Sequence, residues 1–121
     1  MNYTLQIDNE YIPEAYGNKD LPSDEQYSVV WTWPSADDKQ KCRKMRVTSS
    51  EEVILDIDYG LLVKKCIKKI VRFNFNGNPI RTGLDLWNQN GLSELADEMS
   101  TFLMEKLKPA EEESEEIAEK N

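Results

Sequence analysis

The chain has 121 residues, with 15 Lys and Arg against 23 Asp and Glu, a formal charge of −8. That length supports one small domain with one modest core. It has no histidine and two cysteines, which excludes a Ser-His-Asp triad, a histidine base and imidazole ligation and leaves too few soft ligands for a zinc site.

In chain order, Tyr3-Thr4-Leu5-Gln6-Ile7 alternates and is rich in β-formers. Asp8-Asn9-Glu10 reads as a turn and Tyr11-Ile12 as a return strand closed by Pro13. Residues 14–25 hold Gly17, Asn18, Asp20, Pro22 and Ser23 and read as a loop. Residues 27–33 are aromatic and β-branched and stop at Pro34, the strongest strand signal in the chain. Alternation places Tyr27, Val29, Trp31 and Trp33 on one face.

Ser35 followed by Asp37 and Asp38 predicts a capped helix running to about Arg46. A loop over 47–52 and a short strand over 53–57 follow. Asp58 can cap a second helix, because Tyr59, Leu62, Val63, Cys66, Ile67, Ile70 and Val71 repeat with the spacing of one helical face. Cys66 lies in that stripe and reads as a buried structural thiol. Asn76-Gly77-Asn78-Pro79 is a turn. Thr82 or Asp85 can cap a short helix through Leu84, Leu86 and Trp87, and Asn90-Gly91 is a further turn. The last helix opens at Ser93 and carries its apolar stripe on Leu92, Leu95, Ala96, Met99, Phe102, Leu103 and Leu107.

Residues 110–121 carry six Glu against one Lys, a charge of −5 that leaves −3 for the other 109 residues. With almost no apolar content this end is expected to be a disordered acidic tail. The expected organisation is therefore an α+β domain over 1–108, with a small N-terminal antiparallel sheet against amphipathic helices, and a tail over 109–121.

Two cysteines make no disulfide framework, so a reducing cytoplasm is expected. No apolar run of about 18 residues predicts a membrane span, and Met1-Asn2-Tyr3-Thr4 has no leader character. Asp56 with Asp58 could hold a divalent cation through oxygen, but Asp58 as a helix cap is the simpler reading. No catalytic residue, metal or cofactor is assigned, and no enzyme activity is expected. What remains is interaction. Tyr27, Trp31, Trp33, Leu62, Ile70, Phe102 and Leu103 are the candidates for an apolar partner-binding groove. An alternative is a small nucleic-acid or regulatory module using the basic face Lys64, Lys65, Lys68, Lys69 and Arg72, although the acidic chain repels nucleic acid at long range.

Several phrases carry a resemblance. Tyr11-Ile12-Pro13 precedes a β segment ending in Trp33-Pro34-Ser35, which runs into a charged helix. The stretch 73–80, then Thr82-Gly83-Leu84-Asp85-Leu86, Glu94-Leu95-Ala96-Asp97-Glu98 and a Glu-rich end follow in that order. In this order of parts the chain resembles the tail assembly chaperones of long-tailed, siphovirus-like bacteriophages and prophages. The resemblance implies a cytoplasmic, non-enzymatic helper that shields apolar helices of the tape-measure protein, recruits tail-tube subunits and is absent from the mature virion. It also implies a longer, frameshifted form, for which Glu119-Lys120-Asn121 could be encoded by a slippery heptamer. A minor structural protein of the phage tail or head–tail junction is a third reading. Homo-oligomerisation is left open.

Overall fold

A single strand organises the fold. In the computed structural model, which describes residues 7–107, Ser28–Thr32 (β2) lies at the centre of a three-stranded antiparallel sheet. Asp8–Tyr11 (β1) pairs with one edge, Asp8 opposite Thr32 and Tyr11 opposite Val29. Ile67–Val71 (β5) pairs with the other. The Asp8-Asn9-Glu10 turn expected from the sequence is therefore strand: the β2 edge offers a ladder that satisfies these backbone groups, and that outweighs their turn preference. Residues 3–6 of the expected first strand lie outside the described residues, as does the expected acidic tail.

The stretch read as a loop contains a 3-10 helix, Ala15–Asp20, with Tyr16 and Gly17 at positive φ. Asn18 locks it. Its buried side chain donates to the carbonyls of Pro13 and Tyr27, each at 2.9 Å, and accepts from the Tyr27 N–H at 2.8 Å.

Helix starts follow local chemistry. Ser35 and Asp38 form a reciprocal capping box at the head of Ala36–Cys42 (α1). Asp58 caps Tyr59–Cys66 (α2) through the Leu61 N–H, and Thr82 caps Gly83–Asn88 (α3) through the Asp85 N–H. Two helix ends depart from expectation. α1 stops at Cys42, and Arg43–Val47 becomes a strand (β3) paired with Val53–Ile57 (β4). α2 stops at Cys66, and the remainder of the expected helix is β5. In β5 the register with β2 slips by one between Val30 opposite Lys69 and Trp31 opposite Ile67, leaving Lys68 as a bulge. The extra residue resets the alternation, so Ile67 and Ile70, three apart, both face the core.

Asn74–Phe75 (β6) and Asn78–Pro79 (β7) form a small hairpin. Its two turn residues, Asn76 and Gly77, both take positive φ, as a tight hairpin turn requires. The longest helix, Ser93–Leu107 (α4), buries Leu95, Met99, Leu103 and Leu107. One hydrophobic cluster joins α2, α3 and α4 to the inner face of the sheet around Val29 and Trp31. The architecture is α+β.

Candidate interaction surface

The seven apolar candidates divide by burial. Tyr27, Trp31, Leu62, Ile70 and Leu103 are core residues, so they do not line an open groove. Tyr27 donates its hydroxyl to the Ala15 carbonyl at 2.8 Å, and burial pushes its ionisation above the ordinary tyrosine range. Phe102 is half-buried, stacked on Tyr11 at 4.2 Å between ring centres and edge-on to Trp31 at 5.1 Å. Trp33 is exposed, edge-on to Trp31. Lys106 lies 4.8 to 5.3 Å from the centres of Trp31, Trp33 and Phe102. Its ammonium group thus caps this rim, a favourable contact of the cation–π kind. A core this small needs its largest aromatics for packing, which is why composition alone could not separate core from interface.

The basic candidates are exposed, yet they do not form one helical face. Lys64 and Lys65 belong to α2, Lys68 and Lys69 to β5, and Arg72 follows it at positive φ. Lys68 is the bulge residue. Arg72 donates through Nε to the Gln26 carbonyl at 2.9 Å, tying the end of β5 to the segment before β2.

A different surface emerges at the β3–β4 hairpin. Met45 stands opposite Leu55 and Val47 opposite Val53. All four project from one face, with exposures of 75, 50, 69 and 62 % respectively. The other face carries Lys44, Arg46, Asp56 and the half-buried Ile54; Arg46 pairs with Asp56 at 2.7 Å, and Lys44 with Asp58, just past β4, at 3.5 Å. These pairs are solvated and contribute little stability. The base is anchored, because Arg43 donates to the Leu107 carbonyl and the Asp58 N–H to the Cys42 carbonyl. Beyond it, no third strand joins the sheet among the described residues. Two-stranded sheets without a covering layer are marginal in water, and adjacent exposed apolar side chains mark contact surfaces. The sequence reading missed this site by extending α1 through Met45. The alternation of Met45 and Val47 with charged neighbours, mirrored by Val53 and Leu55, was the available signal.

Nothing nucleophilic is built nearby. Cys42 and Cys66 are free thiols in the core. Burial pushes Cys66 up to about 12 and raises Cys42 as well, which opposes thiolate formation. Among the described residues no group of three or more Cys, Asp or Glu is placed to hold a metal ion, and no helix is long and apolar enough to cross a membrane. No family model, curated protein or solved structure matches this chain.

Proposed function

We propose that this chain is a non-enzymatic binding protein whose β3–β4 hairpin covers an apolar segment of a partner chain. The supporting observation is the apolar face formed by Met45, Val47, Val53 and Leu55, held out from the core on an anchored base. Covering that face removes apolar area from water and gives the hairpin a second layer, which none of the described residues supplies. This is the shielding role that the resemblance to phage tail assembly chaperones implies. In this reading the partner is the tape-measure protein, tail-tube subunits are recruited to the complex, and the chain acts in the host cytoplasm and leaves before the virion matures.

The test is co-expression with a tape-measure protein, for the wild-type chain and for a variant carrying Met45→Thr, Val47→Thr, Val53→Thr and Leu55→Thr. The reading expects the wild-type chain to keep the tape-measure protein soluble and to co-purify with it, and the variant to do neither while retaining its own fold by circular dichroism. Equal performance of the folded variant overturns the assignment to this face.

A further inference from the structure

A second recognition site, with different chemistry, lies on the flank of α4. Tyr59 and Gly60 at the start of α2, Trp87 near the end of α3, and Asp97, Ser100, Thr101 and Met104 on α4 converge there. The side chains enclose a half-open notch of about 250 Å³. Trp87 closes directly on the α2 backbone: a Cβ at Gly60 would fall 2.7 Å from its Nε1. Tyr59 is held from the other side, its hydroxyl 3.5 Å from the Met104 sulfur. Both rings remain more than a third exposed. Asp97, exposed on α4, is among the residues lining it, and its carboxylate has no hydrogen-bond or ion-pair partner among the described residues.

We propose that this notch binds the cationic side chain, guanidinium or ammonium, of an arginine or lysine on a partner polypeptide. Three features select that occupant. Aromatic rings attract cations through their electron-rich faces, Trp most strongly. A carboxylate adds a charge-assisted hydrogen bond that a neutral or anionic group cannot match. The volume lies below the range of small-molecule and cofactor sites and suits one long side chain. Among the described residues no Lys or Arg lines the notch, and the nearest cation along α4, Lys106, is engaged with Trp31, Trp33 and Phe102. Among the described residues no cation lining the notch answers this charge, and Glu94, one turn earlier on α4, adds to it.

The test follows the indole N–H of Trp87 by proton–nitrogen NMR in the full-length chain, assigned with Trp87→Phe. The probe is N-acetyl-arginine amide, and its citrulline counterpart is the neutral isostere. Trp31 and Trp33 provide internal reporters that the fold is intact. The expected result is a saturating Trp87 shift with the arginine probe, none with the citrulline probe, and affinity weakened about tenfold in Asp97→Asn with the Trp31 and Trp33 signals unmoved. Equal response to both probes, no saturable response to arginine, or undiminished affinity in Asp97→Asn overturns the proposal. Loss of the Trp31 and Trp33 signals in that variant would move the comparison to Asp97→Ser, judged by the same tenfold criterion.

Discussion

Glu98 on α4 accepts the Tyr11 hydroxyl at 2.7 Å, and its carboxylate also accepts the backbone N–H groups of Glu14 and Ala15 at 2.8 to 3.1 Å. One side chain thereby joins the edge strand, the 3-10 helix and the longest helix. Glu98→Ala leaves three donors without their acceptor and should cost about 1–3 kcal/mol. In a domain this small that lowers the melting temperature by several degrees. Glu105→Ala, on the same helix and without such bonds, should change stability by less than about 0.5 kcal/mol. Thermal melts of the two variants side by side check the contrast.

The same contact shapes the response to alkali. Burial, then the neighbouring Glu98, raises Tyr11 above its ordinary value of about 10, and burial raises Tyr27 likewise. The folded state thus favours the protonated phenols. Their contribution to stability is fully present below about pH 10, where unfolded tyrosine keeps its proton, and is lost as pH climbs toward the raised folded values. Absorbance titration should show Tyr11 and Tyr27 ionising late, and their contribution to the unfolding free energy should fall only above about pH 10, after the loss that the raised thiols Cys42 and Cys66 begin near pH 9. Ionisation of Tyr11 and Tyr27 in the native chain near pH 10 would contradict this.

Cys42 and Cys66 give a labelling prediction. Both are fully buried, and their thiols resist ionisation. A thiol-reactive reagent at pH 8 should modify neither in the native chain within minutes, and both once denaturant unfolds it. Rapid native labelling of either would mean that α1 or α2 opens readily.

The crossing of α2 and α3 depends on a missing side chain. A Cβ at Gly83 would lie 2.4 Å from the Val63 carbonyl oxygen, a backbone atom that cannot rotate away. Gly83→Ala should therefore separate the helices and cost about 1–3 kcal/mol. Gly77→Ala meets open space and carries only the strain of its φ of +80°, about 1 kcal/mol. Denaturant melts of both variants measure the difference.

These local devices were largely legible in the residues. Ser35, Asp58 and Thr82 cap helices because a short polar side chain before an apolar period has that use. The stripe from Leu92 to Leu107 predicted α4 because its buried face and its period coincide. Between Tyr59 and Val71 the period misled. Leu62, Val63 and Cys66 are buried as a helix, whereas Ile67 and Ile70 are buried as a bulged strand. The bulge at Lys68 reproduces helical spacing, and only the distant pairing with Val29 distinguishes the two. The β3–β4 hairpin was hidden for a related reason. Met45 and Val47 are exposed, so no burial pattern reports them, and their strand state depends on partners six to ten residues away. Five of the seven groove candidates fill the core instead, because Trp31, Leu62 and Leu103 have the same composition whether they pack inside or meet a partner.

A partner segment laid on the Met45, Val47, Val53 and Leu55 face should protect the hairpin beneath it. Hydrogen–deuterium exchange of the chain, alone and with tape-measure protein, tests it most directly. Alone, the β3–β4 amides should exchange faster than those of β2, since among the described residues the hairpin has neither a third strand nor a covering layer. With the partner, exchange across 43–57 should slow several-fold, while β2 stays unchanged. Protection confined to other segments, or unaltered exchange across the hairpin in a formed complex, would contradict the account.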